Sequence, residues 1–206
     1  MMKLYSFPGT ISLACQIALE EAGAAYELVT VDFAQNAQRE ADYLAINPKS
    51  RVPALATDRG VITEAPAILT YIAQSFPAAR LAPLDDPFAF AQVQAFCAYL
   101  CSWVHPAAAH RHRGYRWADD PAAIADMRRK APENFAEAAQ LIETEYLSGP
   151  WVMGEAYSIC DPYLFTVAGW LPRDGIEMSR FPKIQDHFER MKARPAVGKV
   201  LAAAAV

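Results

Sequence analysis

No apolar run in this chain approaches the ~20 residues that a bilayer-spanning helix needs, so no membrane crossing by a helix is expected. The opening segment, Met1 to Phe7, lacks a basic stretch followed by an apolar core and a cleavage site, and the expectation is a cytoplasmic protein. Neither sign of charge dominates. A net charge of −4 speaks against a general nucleic-acid binder. Cysteine is sparse: Cys15, Cys97, Cys101 and Cys160 form no C-x-x-C pair and no zinc spacing. Each sits in an apolar stretch, which predicts buried free thiols in a reducing compartment. No metal is expected either. The run His105-Pro-Ala-Ala-Ala-His110-Arg-His112-Arg113 has no metal-binding spacing, and Arg111, Arg113, Arg116 and Arg128 nearby repel cations.

What the chain does have is length and apolar content. Its 206 residues, 53% of them hydrophobic, suffice for two small domains with a buried core. Lys3 to Phe7 is a strand pattern broken by Pro8-Gly9, and Ser12 then opens a helical pattern that Gly23 stops. Tyr26 to Val31 reads as a second strand, making a β-α-β unit that favours parallel pairing. Gln38 to Ile46 is a weaker helix. Val52 to Thr57 and Val61 to Thr63 are short strands around the turn Asp58-Arg59-Gly60, and Ala65 to Phe76 is a helix with Pro66 in its first turn. Pro77 to Pro87 reads as a linker. Helical patterns follow over Phe88 to Trp103, Pro121 to Leu147, Ser158 to Leu171 and Pro182 to Lys192, with a short one after Pro195.

Three motifs carry chemistry or folding information. In Asn47-Pro48-Lys49-Ser50-Arg51-Val52-Pro53-Ala54-Leu55, a proline opens a strand. A cis Val52–Pro53 bond would turn the Val52 main chain outward to a peptide ligand; an ordinary trans proline is the alternative. In Thr63-Glu64-Ala65-Pro66-Ala67-Ile68, a helix N-terminus suits a carboxylate, and Glu64 suits an ammonium group. The alternative is that Glu64 only complements the helix dipole. Ser158-Ile159-Cys160-Asp161 has the form of a capping box, a folding signal.

Taken in order, Lys-Leu-Tyr-Ser-Phe-Pro-Gly-Thr-Ile-Ser-Leu, the Asn47 to Leu55 segment, Thr-Glu-Ala-Pro-Ala-Ile, Ser-Ile-Cys-Asp and Arg194-Pro195-Ala196-Val197 resemble the cytosolic glutathione transferases, most nearly the bacterial beta class. The resemblance covers nearly the whole chain. It implies the glutathione transferase fold: an α/β thioredoxin-like N-terminal domain (1–78), a linker (79–87) and an all-α C-terminal helical domain (88–206). It also implies glutathione as co-substrate, a small hydrophobic or aromatic electrophile, and a homodimer.

On the same resemblance, Val52 beside Pro53 pairs its main chain with the cysteinyl part of glutathione, and Glu64 with the Ala65 N–H holds the γ-glutamyl end. Gln35 and Asn36 stand where relatives often carry a Lys for the glycyl carboxylate, which predicts weaker glutathione binding. The beta class usually has a cysteine where this chain has Ile11. Ser12 is then the first candidate to stabilise the thiolate, Thr10 the second and Tyr5 the third, and His105 is a further candidate. Helix capping competes for Ser12, core packing for Tyr5, and a helix-break role for His105. Ile11, His105, His112 and Tyr115 are expected in the second-substrate pocket. Arg113, Arg116, Tyr115 and Trp117 form a basic, aromatic stretch that reads either as a wall for an anionic or aromatic co-substrate or as a solvated helix end. Two alternatives remain: a non-catalytic glutathione-binding module, or a glutathione-dependent peroxidase or disulfide reductase with Cys15 as its thiol.

Overall fold

In the computed structural model, which describes residues 1–204, strand β1 (Met2–Ser6) alternates as a half-buried strand should, with Leu4 and Ser6 turned to the core. It pairs in parallel with β2 (Tyr26–Thr30), Leu4 opposite Leu28, and antiparallel with β3 (Ala54–Thr57), Leu4 opposite Leu55. Strand β4 (Gly60–Thr63) closes a sheet of order β2-β1-β3-β4. The expected β-α-β unit is present. The third strand starts two residues later than expected, because Val52 and Pro53 stand outside the ladder, joined by a cis peptide bond.

Helix α1 (Ser12–Glu21) links β1 to β2 and is wedged between two packed surfaces. Ala14, Cys15, Ala18 and Leu19 join the main core, whereas Ile17 faces a separate cluster with Phe165, Met191, Val197 and Val200. Burying one such Ile or Leu contributes about 1.5–3 kcal/mol. Gly23, at φ +63°, ends the helix: its N–H bonds the Glu20 carbonyl while the Ala24 N–H bonds Leu19. Glu20 and Glu21, expected outside the apolar side, hold the far end of the chain. Glu21 takes a two-pronged bond from Arg194 at 2.6 and 2.8 Å, and Glu20 pairs with Lys199 at 2.6 Å. The weaker helix is a 3₁₀ turn at Ala37–Arg39 followed by α2 (Ala41–Ile46). Helix α3 (Ala65–Ser75) follows β4 directly, as expected.

The remaining elements are helical. Asp86 caps α4 (Pro87–Tyr99), accepting from the Phe88 and Ala89 N–H groups at 3.0 Å. The pattern does not stop at Trp103. It widens into π turns over Leu100–Val104, where the His105 N–H reaches back to Leu100, and continues as α5 (His105–Arg113). Pro106, which has no N–H to give, falls just after the widened turns. Asp120 caps α6 (Pro121–Leu141), and π turns at Ile142–Tyr146 complete that pattern. Helices α7 (Cys160–Ala168), α8 (Pro182–Lys192) and α9 (Pro195–Ala204) follow. Positions 205 and 206 of the expected helical domain lie outside the described residues.

The capping box forms. Ser158 Oγ accepts from the Cys160 N–H at 3.2 Å, and the Asp161 carboxylate accepts from the Ser158 N–H at 2.7 Å. Asp161 also takes the Val152 N–H at 2.9 Å and faces His187 Nε2 at 3.0 Å, so its full burial is compensated. The segment read as a linker is anchored at Leu81, whose side chain is buried and whose carbonyl accepts from Ile159 at 2.8 Å. The main core runs through the whole molecule, from Leu4, Leu55 and Leu69 to Phe96, Phe135 and Tyr163. The sheet-bearing part and the helical part therefore meet as packed surfaces, and a cleft opens where they diverge.

Candidate active site

That cleft is a cavity of about 760 Å³, walled on one side by the sheet-bearing part and on the other by α5 and the turn after α7. The sheet-side wall combines unpaired main-chain groups with the side chains of Asn36, Arg39, Lys49 and Glu64. Asn47, almost fully buried, sends its amide to the Arg51 carbonyl at 2.7 Å, and the Tyr43 hydroxyl donates to the same carbonyl at 2.7 Å. Ser50, at φ +57°, is tied to the Gln38 carbonyl at 2.7 Å. These bonds fix the loop that presents Val52. Its N–H and C=O have no partner among the described residues, and its side chain packs with Val31 and Tyr43. Ala65 opens α3 beside it, with its N–H likewise unpaired among the described residues. Such a helix start attracts negative charge.

Glu64 lies between them at φ +73°, a left-handed conformation that non-glycine residues rarely adopt. Its carboxylate lines the cavity and pairs with Lys49, whose ammonium also donates to Thr63 Oγ1 at 2.6 Å. Of the two loop residues expected near a glycyl carboxylate, Asn36 (φ +57°) lines the cavity and Gln35 does not. Positive charge lines the cavity elsewhere on this side, from Arg39 and from Lys49, which pairs with Glu64.

The thiolate-donor candidates separate. Ser12 does not reach the cavity. It is completely buried, with its hydroxyl 2.7 Å from Ser6 Oγ and 2.6 Å from Thr10 Oγ1. It does not cap the helix either, since it is the first helical residue and Ile11 holds the cap position without a side-chain bond. The bend at Pro8-Gly9, with Gly9 at φ +73°, turns Ser12 inward under the loop. Thr10 lines the cavity, but its hydroxyl donates to the Phe7 carbonyl at 2.7 Å. Tyr5 is partly buried, packed against the Val31, Tyr43 and Val52 cluster and edge-on to Tyr43 at 5.7 Å, and is not part of the cavity. Cys15 is fully buried beneath the Ala65 carbonyl, and burial pushes its thiol well above the ordinary range. Such a thiol is unsuited to disulfide chemistry.

The four residues expected in a second-substrate pocket all line the cavity, Ile11 from the loop before α1 and His105, His112 and Tyr115 from the helical wall. His105 sits in a continuing helix rather than at a break, edge-on to Trp170 at 4.9 Å. Burial, reinforced by Arg113, Arg51 and Arg116, pushes its pKa down from 6.5 to about 4. At neutral pH it is an uncharged imidazole that can donate one N–H. His112 meets the buried Asp174 at 3.2 Å, and Arg111 approaches the same carboxylate at 3.5 Å. Of the four arginines in this stretch, Arg113 and Arg116 face the cavity; Arg111 and Arg128 do not. Among the described residues no group of three or more His, Cys, Asp or Glu side chains is placed to hold a metal.

Sequence reasoning missed the cavity roles of Arg39, Lys49, Arg51, Trp170 and Arg173. Only Lys49 and Arg51, inside a recognised motif, carried any local signal.

A sheet unit whose interior strand β3 is entered through a cis-proline loop, joined to an all-helical unit across a shared cleft, defines the thioredoxin-like-plus-helical architecture of the glutathione transferases. Residues 1–74 match the glutathione S-transferase N-terminal domain, and residues 92–195 match the glutathione S-transferase C-terminal domain. A glutathione transferase homologue from Sulfitobacter, solved with bound glutathione, superposes with a TM-score of 0.96 at 45% identity, covering 100% of this chain and 99% of the other. A beta class glutathione S-transferase from Sphingomonas chungbukensis gives 0.86 at 35%, covering 98% of each. Glutathione S-transferase GstA of Escherichia coli O157:H7 is 31% identical over 205 residues, 98% of each chain. The chain belongs to the glutathione S-transferase family.

Proposed function

We propose that this chain binds glutathione in the cavity and activates its thiol for attack on a small electrophile, as a member of the beta-like branch in which Ile11 replaces the cysteine. One observation carries the reading: the unpaired main-chain groups of Val52 and Ala65 open onto one cavity together with the Glu64 carboxylate. Val52 receives the cysteinyl amide, the start of α3 receives the γ-glutamyl carboxylate, and Glu64 exchanges its lysine for the ligand ammonium. Asn36 and Arg39 take the glycyl carboxylate. That a Sulfitobacter homologue was solved with bound glutathione supports glutathione as the ligand.

The thiolate is then stabilised by charge and by His105 rather than by Ser12. Arg51 and Arg113 supply positive potential, and the neutral His105 donates an N–H to sulfur. The thiolate forms the new C–S bond as the leaving group departs with its electron pair. The protein works as a homodimer in the reducing cytoplasm. Titrating bound glutathione by its thiolate absorbance tests the reading. The bound thiol should ionise at least about one unit below the ~8.5 of a free thiol; glutathione that does not bind at all would overturn it.

A second reading, a binding module without turnover, is favoured by the engaged hydroxyls of Thr10 and Ser12 and by the apolar Ile11. The same titration separates the two, because the module binds glutathione with its thiol pKa unmoved.

A further inference from the structure

The cavity has far more positive than negative charge. Six cations line it, Arg39, Lys49, Arg51, Arg113, Arg116 and Arg173, against the single carboxylate of Glu64. Lys49 and Glu64 neutralise each other. None of the five arginines meets a carboxylate among the described residues, although Arg111, Arg129, Arg190 and Arg194 elsewhere each do. Arg173 finds only the face of Trp170, 5.8 Å from the ring centre.

Glutathione brings two carboxylates and one ammonium, and the sheet-side wall already accounts for all three. The helical wall then retains three cations, Arg113, Arg116 and Arg173, against the one negative charge of the thiolate. Arg113 is half-buried, and its proton is held less tightly than usual, first by burial and then by the nearby Arg116. A half-buried cation among like charges is unfavourable until an anion joins it. Tyr115 and Trp117 stand exposed at the same wall and offer flat apolar faces.

We infer that the electrophile itself is an anion, an aryl or conjugated compound bearing a carboxylate or similar oxyanion that Arg113, Arg116 and Arg173 hold while the ring lies against Tyr115 and Trp117. The inference rests on the glutathione-transfer reading and narrows it from a small electrophile to a charged one. Guanidinium groups bind such oxyanions through charge-assisted, often paired hydrogen bonds.

A chlorodinitrobenzoate and its methyl ester are suitable probes, since they share one leaving group. In both, the thiolate attacks the carbon bearing chlorine. The C–S bond forms, the C–Cl bond breaks, chloride leaves with the electron pair, and the thiol proton passes to solvent. Each kcat/KM is divided by the uncatalysed rate with free glutathione, because the ester is intrinsically the more reactive. The acid should then exceed the ester by about tenfold or more at low salt, and the ratio should fall as salt rises. Arg113→Gln and Arg173→Gln should each move the ratio toward one. Arg173 is exposed on a turn, so its variant serves if the Arg113 variant fails to fold. A ratio at or below one in the native protein overturns the inference. If neither probe is turned over, the transferase reading fails, and calorimetry with the two preformed S-aryl glutathione conjugates decides the inference on binding alone. Tighter binding of the acid conjugate supports it, and equal binding overturns it.

Discussion

The two walls of the cavity recognise by different means. The sheet-side wall presents main-chain groups, held by Asn47, Tyr43 and the start of α3. The helical wall presents side chains, three arginines that meet no carboxylate among the described residues, with Tyr115 and Trp117. A main-chain surface is fixed by fold and barely altered by substitution. A side-chain surface can be rewritten one residue at a time. Under the proposed function, the difference gives constancy of ligand to one wall and choice of partner to the other.

That contrast can be broken at several points. The largest effect should come from His105 on the helical wall. With its pKa pushed down from 6.5 to about 4, the folded protein refuses a proton that the unfolded chain accepts. The stability it confers is complete above pH 6.5 and is lost as pH falls through about 4, a loss of about 3 kcal/mol. Urea unfolding of wild type and His105→Gln across this window should show the variant lacking that component; parallel curves would mean that His105 titrates normally.

On the sheet side, Glu64→Gln should raise the glutathione Kd by about ten- to a hundredfold, the worth of one charge-assisted hydrogen bond. Unchanged calorimetric affinity would remove Glu64 from the glutathione seat. Ser12→Ala should cost about 1 kcal/mol of stability through the lost internal hydroxyl bonds while leaving the bound thiol pKa where it was. A rise in that pKa would return Ser12 to the chemistry. Smallest of all, Thr10→Val should change kcat by less than about threefold, because its hydroxyl already serves the Phe7 carbonyl. A loss of two orders of magnitude would show that the hydroxyl turns to sulfur in the complex.

The same contrast explains what was legible in the sequence. The sheet-side wall lies in two short contiguous stretches, Asn47 to Leu55 and Thr63 to Ile68, whose prolines and helix start mark the backbone locally. The β-α-β-α-β-β-α order was readable for the same reason. The cation cluster was not, because Arg51, Arg113 and Arg173 come from distant parts of the chain and meet only when the two parts fold together. Ser12 was misjudged on orientation rather than position. A helix start shows in the pattern, but whether its first side chain faces the cleft or the interior depends on the bend at Gly9. The helix end expected at Trp103 was misplaced, because the π turns over Leu100–Val104 let the helix run on through His105 and Pro106.

Trp170 reaches from the helical part to the first loop, its indole N–H donating to the Gly9 carbonyl at 3.2 Å while its ring meets His105. A single side chain thus acts as a strut between the segment carrying Thr10 and Ile11 and the wall opposite. A tilt of the helical part is conveyed to that segment through this bond as well as through the packed core, and removing the ring would loosen the first loop and His105 together.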